Sequence, residues 1–344
     1  MRLRYKHQRF QEDAARCIVD AFIGQPKSDG TSNFTIDPGK PQIDDDQQQF
    51  EGFGDNYQPD GFGNQEIVLA QEDICENVRH IQMQQGIRPV EHLEQLQGVG
   101  TAFTIEMETG TGKTYTYIKT LFELNQQYGW TKFVIVVPSI AIREGVYKSF
   151  QSMEEHFALE YGKRMQYFIY NSKQLSKIES FANDPGIHVM IINTQAFNTS
   201  MNEEKNQEGR KGDSAARIIF SRRDEFRSRR PIDVLSATRP IMIIDEPQSV
   251  LGSNKANATR KGLALFRPLF TLLYSATHRQ GDIYNMVYKL DAIDAYNKHL
   301  VKKIEVKGIS QKGSTATNGY IYLEEIVLSK GNPQARIGFD VKTA

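Results

Sequence analysis

The segment METGTGKT, Met107 to Thr114, places two glycines, a lysine and a threonine directly after a short apolar run. Glycine adopts backbone angles closed to other residues, so successive N–H groups of such a turn can converge on phosphate oxygens. Lys113 would then meet the β- and γ-phosphates, and the Thr114 hydroxyl would bind Mg²⁺. The alternative is a tight structural turn, because Met107 stands where the usual pattern begins with glycine. The segment alone favours a nucleotide site but leaves both interpretations open.

A second chemical signal is the acidic pair in IMIIDEPQSV. Asp245 and Glu246 follow an apolar run that is typical of a buried strand. Ligands of an open parallel sheet bind at the carboxyl ends of its strands. There Asp245 is suited to hold hydrated Mg²⁺, and Glu246 to polarise the attacking water of phosphoryl transfer. A helix cap or a solvated acidic pair is the alternative, but the glycine-rich segment upstream favours the nucleotide interpretation.

Six apolar runs, with helical segments between them, supply the elements that must position these residues. The predicted strands are AFTIEM, KFVIVVP, MQYFIY, IHVMIINT, PIMIIDE and LFTLLYSAT. Helical spacing of apolar residues predicts helices over Gln8–Ile23, Glu72–Gln84 and Lys113–Gln127. Continuous β-branched runs indicate strands buried on both faces. The fold class is therefore α/β, with a largely parallel sheet flanked by helices.

Composition suggests how the chain is divided. Residues 1–24 form the N-terminal helical segment, and residues 25–66, rich in Gly, Pro, Asp and Gln, are predicted to be an inserted flexible loop. Residues 67–290 carry the α/β pattern. In residues 291–344, GYIYLEEIVL, ARIGFDV and KKIEVKGI alternate apolar and polar residues, which predicts the start of a β-rich extension.

Charge and cysteine content exclude several protein classes. The 42 basic and 42 acidic residues cancel, so a polyanion would have to be held by a local patch. Cys17 and Cys75 are the only cysteines, and they lack metal-binding or redox spacing. No signal peptide or membrane-spanning run is recognisable. We expect a soluble, cytoplasmic protein without a membrane partner.

Five segments occur in the order of motifs I, Ia, Ib, II and III of superfamily 2 helicases and translocases. They are METGTGKT, FVIVVPSIAIREGV, IINTQAF, IIDEPQSV and YSATHR. The residues of these segments most resemble those of the restriction (Res) subunit of type III restriction-modification enzymes. The resemblance implies a RecA-like P-loop NTPase domain that uses ATP and Mg²⁺, moves on duplex DNA and works with a modification (methyltransferase) subunit.

The same resemblance implies a second motor domain and a nuclease domain, and neither is recognisable in this sequence. We therefore expect an N-terminal motor-domain fragment that hydrolyses ATP weakly or not at all by itself. In the complete enzyme, ATP hydrolysis would drive translocation before cleavage by the nuclease domain.

The resemblance assigns nucleotide-site roles to individual residues. Motif I supplies the nucleotide-binding residues Gly110, Thr111, Gly112, Lys113 and Thr114. Lys113, Asp245 and Glu246 are the expected catalytic residues, and Thr114 and Asp245 the expected metal ligands. Gln248, at the fourth position of motif II, would contact the γ-phosphate or the coupling motif. The segment RFQEDAA resembles the adenine-reading glutamine segment, with Gln11 as the first choice and Gln8 as the reserve.

The remaining motifs imply contacts with DNA and a coupling element. Ser139 and Arg143 of motif Ia, and Thr194 and Gln195 of motif Ib, are expected to grip DNA phosphates without reading sequence. An ion pair between Arg143 and Glu144 is an equally good interpretation of that arginine. Ser275 and Thr277 of motif III would link the nucleotide site to the DNA face.

Two other functions stay open. Another superfamily 2 DNA or RNA helicase is one, although Pro247 and Gln248 differ from the common RNA-helicase ending Ala-Asp. A non-catalytic nucleotide-sensing module is the other. The presence of Lys113, Thr114 and the acidic pair together makes this alternative less attractive.

Overall fold

The computed structural model describes residues 5–28, 33–34, 61–198, 218–222, 226, 229–252, 258–302, 319–327 and 334–341. The chain divides into two compact units, Met1–Val301 and Lys302–Ala344. Most of the predicted loop at 25–66 and nearly all of KKIEVKGI lie outside the described residues. The predicted domain limits stay predictions.

The six predicted strands are present in the first unit, together with shorter ones. The strands of this unit are β1 (Asn33–Phe34), β2 (Gly61–Phe62), β3 (Gln95–Leu96), β4 (Gly100–Met107), β5 (Lys132–Val137), β6 (Met165–Ile169), β7 (Ile187–Asn193), β8 (Ile241–Asp245), β9 (Thr271–Ser275) and β10 (Tyr288–Leu290). The main sheet has the order β10-β4-β9-β8-β5-β7-β6, and every neighbouring pair along it is parallel. β3 pairs with β4 in antiparallel fashion, and β1 pairs with β2 separately.

Helices cover this sheet. They are α1 (Arg9–Asp20), α2 (Gln71–Gln84), α3 (Lys113–Tyr128), α4 (Ile140–Tyr161), α5 (Ser176–Asn183), α6 (Gln195–Asn198), α7 (Pro231–Ala237), α8 (Pro247–Val250), α9 (Ala258–Ala264) and α10 (Ala292–Asn297). Among the described helices, none is long and apolar enough to cross a membrane. The three predicted helices correspond to α1, α2 and α3, which confirms them.

Successive residues of the strands point to opposite sides of the sheet, and helices cover both sides. On β5, Phe133, Ile135 and Val137 pack in one apolar cluster with residues of α1, α3 and α4. Val134 and Val136 pack in a second cluster with residues of α5 and α7. The continuous apolar strands predicted from the sequence are therefore the middle layer of three.

Met107 occupies the motif I position where the usual pattern has glycine, and it is fully buried at the end of β4. Its register partner is Leu290 of the three-residue strand β10, which lies parallel to β4. The sequence pattern does not indicate β10, because three residues are too few to show a period. The large apolar side chain at position 107 is thus part of the core beneath the glycine-rich turn.

The second unit contains an antiparallel pair, β11 (Gly319–Val327) and β12 (Gln334–Val341). These strands cover nearly all of GYIYLEEIVL and all of ARIGFDV, so the β pattern predicted for these two segments is confirmed. The helix α10, at the start of the predicted extension, was not foreseen. Its N-cap is Asp291, whose side chain accepts hydrogen bonds from Ile293 N and Asp294 N.

Candidate functional site

The carboxyl ends of β4, β9 and β8 lie side by side at one edge of the sheet. β9 pairs with β4 on one side and with β8 on the other, and all three run parallel. Met107 of motif I, Ser275 of motif III and Asp245 of motif II are the last residues of these strands. Three segments far apart in sequence are thereby brought together.

The glycine-rich turn connects β4 to α3. Gly110 and Gly112 have φ angles of 84° and 89°, in the left-handed region that glycine adopts without strain. Thr111 closes the turn, since its N and Oγ1 both donate to Glu108 O, at 3.2 and 2.6 Å. Gly112 is the N-cap of α3, so the free N–H groups of the first turn of that helix face the same region.

Gln11 holds this turn from outside. Its Nε2 donates to Thr111 O at 2.8 Å, and a Cβ at position 112 would lie 2.4 Å from the same Nε2. The backbone angle of position 112 favours glycine, and any larger residue there would also displace the end of the Gln11 side chain. Gln8, the reserve candidate, is exposed at the N-cap of α1. Adenine recognition by Gln11 stays a prediction.

Lys113 and Glu246 form the direct contact between motifs I and II. The distance from Lys113 Nζ to Glu246 Oε1 is 3.3 Å, and the two side chains are 13% and 27% exposed. Lys113 Nζ also lies 3.5 Å from Met107 O. Partial removal from water strengthens such a pair, so the lysine is fixed over the turn, where phosphate oxygens would bind.

Glu246 is the most constrained residue of the site. Its φ of 55° is unusual for a residue with a side chain and carries a strain of about 1–3 kcal/mol. Ser275 Oγ donates to Glu246 Oε2 at 2.9 Å, and Gln248 Nε2 donates to the same oxygen. Burial acts to raise the pKa of Glu246, but these two hydrogen bonds and the charge of Lys113 outweigh it and lower that pKa. Glu246 is therefore kept ionised.

The pKa of Asp245 is shifted in the opposite direction to that of Glu246. It is only 7% exposed, and burial, followed by the charge of Glu246, raises its pKa to about 6. A buried carboxylate that is costly to ionise gains from a nearby cation. The carboxylate of Asp245 and the hydroxyl of Thr114 are oxygen donors of the kind that Mg²⁺ prefers. The residues present therefore fit the metal that the motif implies.

A groove of about 360 Å³ adjoins this edge beyond the ends of β6 and β7. Its lining includes Arg143, Tyr170, Asn171, Ser172, Asn193 and Gln195. Arg143 donates from Nη1 to Asn193 Oδ1 at 3.1 Å and pairs through Nη2 with Glu144 at 3.0 Å. Its buried Nε has no hydrogen-bond partner within the described part of the chain. The arginine thus forms the ion pair considered above and also lines the groove.

The side chains of Ser139 and Thr194 form local hydrogen bonds, whereas Arg143 and Gln195 line the groove. Ser139 is the N-cap of α4, and its Oγ accepts from Ile142 N at 3.3 Å. Thr194 donates from Oγ1 to Pro138 O at 3.3 Å and from N to Val137 O at 3.2 Å. Both hydroxyls therefore stabilise the loops after β5 and β7, and neither lines the groove. Contact of either residue with DNA stays a prediction.

A family model described as type III restriction enzyme, res subunit, matches residues 68–279. The chain belongs to this family. The predicted resemblance is confirmed, and the parallel sheet with helices on both faces is its RecA-like fold. This is a helicase-like ATPase domain of the Res-subunit type, a family that uses ATP and usually Mg²⁺.

Two relatives have comparable similarity to the chain. They are the type III restriction-modification enzyme EcoP15I Res subunit of Escherichia coli, 31% identical over 258 residues, and the EcoPI Res subunit of Escherichia phage P1, 31% identical over 253 residues. Each match covers 70% of this chain and 25% of the relative. The chain thus spans about a quarter of the length of these curated relatives.

Among solved structures, the chain resembles a Sulfolobus solfataricus SWI2/SNF2 ATPase core in complex with dsDNA. The TM-score is 0.32 and the identity 13%, over 63% of this chain and 33% of that one.

Two residues of the Res-type domain that the sequence analysis did not single out lie at the site. Tyr117 of α3 and Tyr274 of β9 are fully buried, with ring centroids 5.6 Å apart. The signal for Tyr117 was its spacing, because residues three apart on a helix share a face and Thr114 is three residues earlier. Nothing in the sequence alone showed which strand residue it would meet.

We predict that Asp245→Asn stabilises the chain in a pH-dependent way. The folded pKa of about 6 lies above the ordinary 3.8, so ionisation costs the folded state free energy. That cost is absent below about pH 4 and complete above about pH 6. The variant should therefore gain on the order of 2 kcal/mol in free energy of unfolding at pH 8. The gain should vanish as the pH falls to 4, which urea unfolding at several pH values would measure.

Asp291 provides a control of opposite sign. Backbone hydrogen bonding from Asp294 is the largest cause that lowers the pKa of Asp291. Asp291→Asn should therefore lower the free energy of unfolding, relative to the wild type, by more at pH 8 than at pH 3. A destabilised Asp245→Asn at pH 8 would contradict the electrostatic description of the site.

Proposed function

We propose that this chain is the ATP-hydrolysing motor domain of a type III restriction endonuclease, and that hydrolysis drives movement on duplex DNA before cleavage. The observation that carries the proposal is the contact of Lys113 with Glu246 beside the buried Asp245. A lysine for phosphate, an ionised glutamate for water and an aspartate for a cation then occupy one edge of the sheet. This is the set of groups that phosphoryl transfer requires.

Binding of the nucleotide would exploit the glycine-rich turn and the lysine. Backbone N–H groups from Gly110 to Thr114 would donate to phosphate oxygens, aided by the N-terminus of α3. Lys113 would exchange its contact with Glu246 for the phosphates, because a multiply charged phosphate attracts it more strongly. Mg²⁺, held by Thr114 and Asp245, would neutralise charge on the phosphates.

Hydrolysis would then depend on Glu246. Its lowered pKa keeps it ionised, so once Lys113 has turned to the phosphates the carboxylate is able to orient the attacking water. The hydrogen bonds from Ser275 and Gln248 fix its position during this step. The fixed orientation lowers the barrier because the water need not be positioned at the moment of reaction.

Motif III offers a physical route from hydrolysis to motion. Ser275 has one hydroxyl proton and three acceptors within reach, Thr277 O at 2.8 Å, Glu246 Oε2 at 2.9 Å and Gln248 Oε1 at 3.0 Å. It can donate fully to only one of them at a time. A change in the charge or position of Glu246 would therefore redistribute these bonds and move the segment that contains Thr277.

The groove is our candidate for the DNA backbone. Arg143, Asn193 and Gln195 are among the residues that line it. Amides and a guanidinium grip phosphates without reading bases, as a motor that moves along DNA needs. By analogy with the relatives, each named as the Res subunit of a restriction-modification enzyme, we also propose a modification subunit as partner and a cytoplasmic location.

Two substitutions separate binding from hydrolysis. Lys113→Ala should abolish detectable binding of Mg·ATP in calorimetry, because it removes the cation that faces the phosphates. In the complete enzyme, Glu246→Gln should preserve affinity within about twofold and slow single-turnover hydrolysis about 100-fold. Lys177→Ala, which changes an exposed lysine of α5, is the matched control and should change neither quantity. Unaltered binding by Lys113→Ala, or normal hydrolysis by Glu246→Gln, would refute the assigned roles.

Arg143→Ala should weaken duplex DNA binding about 3- to 10-fold, equally for unrelated sequences, because the contact is to phosphate. The slope of log affinity against log salt should fall by about 1. Fluorescence anisotropy between 50 and 200 mM salt measures both quantities. The control is Arg164→Ala, since Arg164 is 81% exposed and precedes β6 at the opposite edge of the sheet. Equal losses for the two variants, or a preference for RNA over DNA, would contradict the proposal.

A further inference from the structure

Tyr117 lies near the two residues proposed to hold Mg²⁺, as its place on α3, one ring contact and the register of two strands indicate. It is three residues after Thr114 on α3, so the two side chains share a helix face. Its ring meets the ring of Tyr274 nearly edge-on, at 5.6 Å and 70°. Tyr274 is in turn the register partner of Asp245 in the neighbouring parallel strand. The tyrosine is therefore enclosed between motif I and motif II.

The Tyr117 hydroxyl is buried and has no hydrogen-bond partner of ordinary geometry among the described residues. Leaving such a group unsatisfied destabilises the folded state, so native proteins rarely keep one without a use. Packing does not require it, because phenylalanine would fill nearly the same volume without the cost. The Tyr274 hydroxyl, by contrast, is satisfied by Thr120 Oγ1 at 3.0 Å.

Two side chains of the proposed magnesium site lie near the hydroxyl. Burial, and then the charge of Asp245, raise the pKa of Tyr117 well above its ordinary value, while an interaction with the Thr114 side chain, outside ordinary hydrogen-bond geometry, offsets part of the rise. A phenol hydroxyl is able to donate a hydrogen bond. Within the described residues, no side chain forms a hydrogen bond to Asp245. A donor without an acceptor and a carboxylate without a side-chain donor are neighbours.

We propose that Tyr117 is a positioning residue for the magnesium site, whose O–H donates to one carboxylate oxygen of Asp245 and so directs the other toward the cation. Carboxylates that bind metals are themselves held by hydrogen bonds, and loss of such a bond typically weakens metal binding 10- to 100-fold. The inference rests on the proposed function, because it needs Asp245 to face Mg²⁺. It adds a residue outside the five motifs to that site.

The test measures metal binding directly in the 344-residue chain. Mn²⁺ replaces Mg²⁺ as a spectroscopic probe. The chain is saturated with a non-hydrolysable ATP analogue and titrated with Mn²⁺, and electron paramagnetic resonance measures the concentration of free Mn²⁺. Tyr117→Phe should lower Mn²⁺ affinity about 10-fold. Its affinity for the analogue without metal should stay within twofold of the wild type, because the phosphate loop is untouched.

Tyr274→Phe is the matched control. It removes a buried hydroxyl from the other ring of the same pair, but that hydroxyl binds Thr120 and does not serve Asp245. This variant should lose thermal stability and keep wild-type Mn²⁺ affinity. Wild-type Mn²⁺ affinity in Tyr117→Phe, or an equal loss in both variants, would overturn the positioning role while leaving the proposed function intact. A wild-type chain that binds no Mn²⁺ with the analogue would overturn both.

Discussion

The ion pair between Lys113 and Glu246 depends on the strand order of the sheet. Glu246 directly follows the last residue of β8, and Lys113 begins the helix after β4, with β9 between the two strands. Because all three strands are parallel, their carboxyl ends share one edge and the two side chains meet at 3.3 Å. An antiparallel strand among the three would send one motif to the far edge. The apolar layers on both faces of the sheet therefore serve the site by fixing this order.

Asp245 and Glu246 are adjacent in sequence, but their pKa values are shifted in opposite directions. Burial raises the pKa of Asp245 to about 6, whereas hydrogen bonds and Lys113 lower the pKa of Glu246. Two titratable groups whose environments shift them apart are suited to different chemical roles. Here the more buried carboxylate would gain from a cation, and the more polar one is held ionised and oriented. The strain at Glu246, with φ at 55°, is part of the same arrangement.

Much of this could be predicted from the sequence, because the strands are buried on both faces and their apolar runs are continuous. The same pattern placed Asp245 and Glu246 at a strand end, and the structure brings them to the glycine-rich turn. The strand β10 was missed because it has three residues. Without β10, the sequence also gave no reason for methionine at position 107. In the structure Met107 is the neighbour of Leu290 in β10.

Contacts between distant segments were beyond the sequence. The bond from Gln11 to the Thr111 carbonyl, and that from Arg143 to Asn193, depend on how α1 and α4 pack on the sheet. Tyr117 resembles an ordinary core residue until its register with Tyr274 and Asp245 is known. Hydrophobic period identifies elements, whereas the pairing of polar groups requires the order of the strands.

The most direct test of the account is a crystal structure of the chain with Mg²⁺ and a non-hydrolysable ATP analogue. We expect the phosphates on the backbone N–H groups of Gly110 to Thr114, with Lys113 moved from Glu246 to the phosphate oxygens. Mg²⁺ should lie on the side of Thr114 and Asp245. A nucleotide bound elsewhere, or phosphates in the turn with Lys113 still paired to Glu246 and the metal away from Asp245, would contradict the account.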